Sequence, residues 1–194
     1  MKPSKEIKMK RLTYVLTALL ITTFITACQN GSKNNSTPQD STIVIEDTLQ
    51  DSTVYGKVVD GGMSTLILLT DAGDSIEYVL ENELGETVGV KGGYNIGDRL
   101  AVVSYKNSGE NIVRQAINLL SLQGQWTSID RNFIIEEGGV VKSEVQAEKN
   151  PWTNWKILNG KLMLNRQAFD IDELSADTLA IEDSTGIYVF KRQK

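Results

Sequence analysis

Residues 155–164 read Trp-Lys-Ile-Leu-Asn-Gly-Lys-Leu-Met-Leu, two short apolar runs hinged on Asn159-Gly160. An Asn-Gly pair takes the positive φ angles of a type I′ turn at little cost, so this stretch specifies a β-hairpin. Trp155, Ile157, Leu162 and Leu164 fall at alternate positions, giving both strands one apolar face. Outward from the hairpin the same pattern repeats. Strands are predicted over 128–136, 140–146, 153–158, 161–165, 167–171, 178–182 and 186–191, with turns at Gly138-Gly139 and at Asp183-Ser184-Thr185-Gly186. Strands this short, each turning back on its neighbour, describe an up-and-down antiparallel barrel or a strongly twisted sheet.

The preceding stretch is also β-rich. Runs at 54–59, 64–70, 75–80 and 99–105 are separated by Asp60-Gly61-Gly62, by Asp71-Ala72-Gly73-Asp74 and by a glycine-rich connection through Gly85, Gly89, Gly92 and Gly93. Residues 112–122 fit a strand, or a helix with Ile112, Ala116 and Leu119 on one face; strand is the expectation. About five strands in some 70 residues suit a small closed barrel of OB-like type. The fold class is therefore all-β, with an OB-like barrel at 53–121 and a second β domain at 122–194.

The first 28 residues carry a different signal. Lys2, Lys5, Lys8, Lys10 and Arg11 precede an uncharged run from Leu12 to Ile25, and Ile25-Thr26-Ala27-Cys28 closes it. The uncharged run suits a secretory h-region and is short for a membrane span. Small residues before cysteine form a lipobox, so residues 1–27 are expected to be a lipoprotein signal peptide. Cys28 is then the lipidated N-terminus and the link to the membrane; its acyl chains exceed the two signals needed for stable anchoring. Residues 28–52 read as lipidated cysteine plus a polar, flexible linker.

Cleavage there removes five of the 20 basic and one of the 25 acidic residues, moving the formal charge from −5 to about −9. Such an acidic body argues against a nucleic-acid partner. The chain has no histidine, and its single cysteine is taken by lipid. Ser/His and Cys/His nucleophile systems, thiolate or imidazole zinc sites and disulfides are thereby excluded. No metal, cofactor or catalytic residue is assigned from sequence.

Leu122-x-Gly124-x-Trp126, the Trp155–Leu164 hairpin, Leu174-Ser175-Ala176-Asp177-Thr178-Leu179 and the terminal Tyr188-Val189-Phe190-Lys191-Arg192 together resemble the lipocalin-like domains of Bacteroidetes lipoproteins. The match covers Leu122–Arg192. The resemblance implies that Gly124 and Trp126 are structural, the glycine allowing a tight turn and the tryptophan plugging one end of the barrel. It also implies a domain about half the length of a true lipocalin, with little room for a deep calyx. By family rules, Gln29 and Asn30 after the cysteine point to the outer membrane, facing the periplasm.

Trp152, next to Pro151 and expected to be exposed, and Trp155 are the candidate ligand-contact residues; packing of the strands is the alternative. Asp71, Asp74, Asp170, Asp172, Asp177 and Asp183 sit mostly in turns, where Asp is favoured for backbone reasons, and match no calcium loop. Lys191, Arg192 and Lys194 are expected to form a solvated basic tail. Two functions follow. One is a non-enzymatic envelope binding module for a protein partner or a small apolar ligand. The alternative is a carboxylate-dependent accessory hydrolase, which requires two carboxylates about 5–9.5 Å apart beside an aromatic platform.

Overall fold

The computed structural model describes residues 50–144 and 149–193. The expected signal peptide, Cys28 and nearly all of the expected linker lie outside these residues. Among the described residues, alternating side chains build fourteen strands, and these residues all belong to one unit.

The first sheet comprises β1 (Val54–Gly61), β2 (Thr65–Thr70), β3 (Ser75–Val79), β4 (Val90–Lys91), β5 (Arg99–Asn107) and β6 (Glu110–Asn118). Neighbours run in the order β3-β2-β1-β5-β6, and a parallel contact between Val79 and Ile112 returns β6 to β3. Five strands thus close into a barrel, the OB-like arrangement expected. Short β4 lies parallel to the far end of β6, opposite Ala116 and Ile117. Inward-facing Val58, Leu66, Leu68, Tyr78, Leu100, Val102 and Val113 fill the interior.

Residues 112–122 do not stay extended. The strand stops at Asn118, and Leu119–Leu122 form one helical turn, α1. The Asn118 carboxamide caps it, its Oδ1 accepting from the N–H groups of Leu120 (2.9 Å) and Ser121 (3.2 Å). Its Nδ2 donates to Gly93 O and Asp98 Oδ2, so this almost fully buried amide is satisfied on every side. Capping outcompetes the strand because the asparagine supplies acceptors for helix-end N–H groups that a ladder would otherwise satisfy.

The second sheet comprises β7 (Gly124–Thr127), β8 (Asn132–Ile135), β9 (Val141–Ser143), β10 (Trp155–Leu158), β11 (Lys161–Leu164), β12 (Gln167–Leu174), β13 (Thr178–Asp183) and β14 (Gly186–Arg192). Every consecutive pair except β9 and β10 is antiparallel and hydrogen-bonded, and β14 returns to β7. Between β9 and β10, among the described residues, the Val140–Asn154 bridge alone spans the gap, so the eight strands are nearly closed. Of the expected strand 128–136 only Asn132–Ile135 is extended; Ser128–Arg131 form the turn that joins it to β7. Leu158–Lys161 is the innermost pair of the Asn159-Gly160 hairpin, and φ is 50° at Asn159 and 82° at Gly160. A bulge between Ile171 and Glu173 shifts the phase of β12, so Phe169, Ile171 and Leu174 all face inward.

The two halves share one core. Ala101, Ile117, Leu119 and Leu122 cluster with Trp126, Phe133, Ile157, Leu162, Phe169, Leu179, Ile181 and Phe190. No helix among the described residues is long and apolar enough to cross a membrane.

Candidate functional site

Three sets of contacts join the barrels. At the first, the hairpin turn of β10–β11 docks against the residues just ahead of β1. Asn159 Oδ1 accepts from Ser52 N (2.8 Å) and Ser52 Oγ (2.7 Å), and Asn159 N donates to Thr53 Oγ1 (2.8 Å). The Tyr55 phenol donates to Ile157 O at 2.6 Å. Burial, with the nearby Asp51 charge, raises its pKa, so the hydroxyl stays a donor. For Asp51, burial pushes the carboxyl up, but hydrogen bonds from Thr53 and Asn159 outweigh it and hold the group below its ordinary value.

At the second, Gly92 N donates to Leu174 O (3.0 Å) and Lys91 Nζ to Asp172 O (2.9 Å). Gly92 has φ 88°, and a Cβ there would fall 2.6 Å from the Ser121 Cβ. Backbone conformation and close approach both require glycine.

The third contact locks α1 to the last strand. Trp126 is fully buried, and its indole N–H donates to Leu122 O (2.9 Å). The Arg192 guanidinium carbon lies 4.1 Å from the centroid of that ring. Arg192 donates to Ser121 O (Nη2, 2.5 Å), Gln123 O (Nη1, 2.6 Å) and Ala176 O (Nε, 2.7 Å). The guanidinium occupies the space where a Cβ on Gly124, at φ 130°, would sit. Arg192 is therefore a clamp and not part of a solvated tail. Partial burial lowers its pKa, yet a guanidinium remains charged.

Between these contacts runs a groove of about 460 Å³. Tyr55 and Arg99 line it from the first barrel, Leu119 and Gln123 from α1 and its exit. Glu137, Trp155 and Lys156 line it from the second barrel. Arg99 is ion-paired with Asp71 on the surface, where such pairs contribute little stability. The groove thus combines aromatic and aliphatic walls with a few charged groups, the usual make-up of ligand clefts at domain interfaces.

The two candidate tryptophans do not share a site. Trp152 is not exposed: only 5% of its surface is accessible, and it lines none of the pockets described here. It packs edge-on against Phe133 (5.1 Å), Phe169 (5.7 Å) and Phe190 (6.3 Å), under the Arg131 guanidinium. Proline beside it says nothing about the four elements that converge on the indole. Trp155 is 8% accessible and borders the groove, with its indole N–H committed to Glu136 O (2.7 Å).

A second pocket, about 560 Å³, lies at the parallel seam of the first barrel. It carries Glu77, Glu110 and Lys106 but no aromatic residue. The groove has Trp155 with Glu137 as its only lining carboxylate. Neither pocket combines paired carboxylates with an aromatic platform. Among the described residues no cluster of three acidic, histidine or cysteine side chains could hold a metal. The aspartates singled out in sequence are largely committed to structure. Asp183 accepts from Thr185, Asp177 from Thr178, and Asp170 pairs with Lys161.

No protein-family model, curated protein or solved structure matches this chain.

Sequence reasoning missed Arg192, Asn118 and the Ser52–Thr53–Asn159 contact. An asparagine ahead of Leu-Leu-Ser-Leu was a legible N-cap signal. The other two depend on partners about 70 to 107 residues away, which no local pattern reports.

Proposed function

We propose that this protein is a lipid-anchored envelope lipoprotein, tethered through Cys28, that acts as a non-enzymatic binding module. Its binding site is the groove between the barrels. The lipobox and the resemblance of residues 122–192 to Bacteroidetes lipocalin-like domains support the envelope assignment and an outer-membrane position facing the periplasm. The observation that carries the binding reading is the groove itself. It is concave, set at a joint fixed by hydrogen bonds, and lined by Tyr55, Leu119 and Trp155 with Arg99, Glu137 and Lys156 at its polar positions. The second barrel supports this placement, because its interior is filled by Trp126, Phe133, Phe169, Phe190 and aliphatic side chains, leaving the joint for the ligand.

The test places a photo-crosslinking amino acid at Lys156 in the lipidated chain in its native envelope, with the same residue at Glu83, in the first barrel outside the groove, as control. A saturable adduct formed from position 156, absent from position 83 and lost in a Glu137→Lys variant, is the expected result. Equal labelling from both positions would refute a groove site. Palmitate incorporation abolished by Cys28→Ser tests the anchor separately.

A further inference from the structure

Strand β14 outruns the neighbour that covers it. β13 pairs with it from Gly186 to Lys191, whereas β7 meets it only at Lys191 and Arg192. The two-residue turn at Ser184-Thr185 makes Asp183–Gly186 the hydrogen-bonded closing pair. Alternation then sends the backbone groups of Gly186, Tyr188 and Phe190 toward β13 and those of Ile187, Val189 and Lys191 to the opposite side. Two further bonds fit this phase: Arg192 N donates to Asp177 O on the β13 side, and Gln193 N donates to Gln125 O on the β7 side.

Past Thr127 the chain leaves the sheet in a turn closed by Ser128 N and Arg131 O (2.7 Å). Ile187 and Val189 therefore present two N–H and two C=O groups with no strand partner among the described residues. They face a slot of about 380 Å³ between the β14 edge and the Ser128–Arg131 turn. Beside it the side chains of Ile187 and Val189 are 61% and 52% exposed, and Ile129 is fully exposed. An unpaired strand edge flanked by apolar side chains is a template for another extended chain.

We propose that this open edge of β14 is a strand-acceptor site for an extended peptide segment of a partner protein. Donors and acceptors at positions i and i+2 of one edge are matched by a peptide backbone in the β conformation, which supplies both at the same period. The segment would continue the line of β7, antiparallel to β14, and make four main-chain bonds to Ile187 and Val189. Its outward side chains at the two bonded positions lie beside Ile187 and Val189, which selects an apolar-x-apolar tripeptide. The projecting Ser128–Arg131 turn leaves a slot suited to one chain and not to the sheet of a second copy. This surface is distinct from the groove, so either can fail without the other.

The test uses the full chain in detergent micelles and a fluorescein-labelled, end-capped Thr-Val-Thr-Val-Thr peptide. A control peptide is N-methylated at the amides of its bonding edge. Saturable polarisation is expected for the first peptide, with at least tenfold weaker binding of the control. The first peptide should also slow hydrogen exchange of the 186–190 segment at least tenfold. Val189→Pro removes one donor from the open edge but none from the β13 ladder, and it should weaken binding at least tenfold. Ile187→Lys with Val189→Lys does the same by charge if the proline variant does not fold. Equal binding of the methylated peptide, absence of saturable binding, or unchanged exchange in the segment would overturn the proposal. A concentration-dependent dimer that protects the same segment would overturn it too, assigning the edge to a second copy.

Discussion

Arg192 offers the sharpest test of how the two barrels are held together. Truncation to alanine removes three charge-assisted hydrogen bonds and a cation–π contact with Trp126. The bonds to Ser121 and Gln123 are part-buried, while the one to Ala176 is exposed and water replaces it. At the low end for hydrogen bonds to a charged group, the two part-buried bonds contribute about 3 kcal/mol. The stacked guanidinium adds about 1 kcal/mol. The expected loss for Arg192→Ala is thus about 4 kcal/mol, equivalent to a urea midpoint lower by about 2 M at a slope of about 2 kcal/mol/M. Arg192→Lys keeps the charge and most of the stem but cannot reach two carbonyls at once; it should lose about half as much, since only the planar fork makes both bonds. The assay is urea unfolding followed by tryptophan fluorescence and near-ultraviolet circular dichroism, with the slope compared between variants. An alanine variant within about 1 kcal/mol of the parent would refute the clamp, because even one of these part-buried bonds exceeds that. So would a lysine variant equal to the parent, since charge alone would then suffice.

Three further outcomes follow from the joint. Asn159→Gly keeps the positive-φ turn but deletes the acceptor for Ser52; because both bonds are exposed and water replaces them, it should cost no more than about 1 kcal/mol in thermal or urea unfolding, chiefly through the extra freedom glycine gives the unfolded chain. Gly92→Ala forces a Cβ against Ser121 at an unfavourable φ and should destabilise by at least about 2 kcal/mol, measured the same way. Asp51 has a folded-state pKa below its unfolded value, so its contribution is present above the ordinary aspartate range near pH 4 and is lost as the pH falls through the folded value. The stability of Asp51→Asn, followed by unfolding from pH 6 down to pH 2, should fall less steeply below pH 4 than that of the parent.

How far the sequence could be read depended on the range of the physics. The Asn159-Gly160 hairpin, the Asp183–Gly186 hairpin and the strands from β10 to β14 were visible because turn chemistry and period-two alternation are local. The same locality explains the failures. Residues 128–136 alternate acceptably, but the pairing of Asn132 with Thr127 turns Ser128–Arg131 into the hairpin connection and leaves only Asn132–Ile135 as a strand. Residues 119–122 look extended until Asn118 finds both Gly93 and Asp98 to hold it in a capping position. Trp152 looked exposed from its proline neighbour, but Phe133, Phe169 and Phe190 come from three strands to enclose it.

By itself, the sequence determined an all-β body of two small barrel-like sheets, because strand faces and turns are written residue by residue. It also ruled out imidazole chemistry through composition alone, since the chain has no histidine. The tertiary structure decided the closure of the first barrel through the Val79–Ile112 seam, the fusion of both barrels into one core, the groove between them, the seat of Arg192 on Trp126 and the edge at Ile187 and Val189 that no described strand covers. Each of these depends on which distant residues arrive at one place. That is settled by packing and hydrogen-bond satisfaction across the whole chain, and a local pattern carries no record of it.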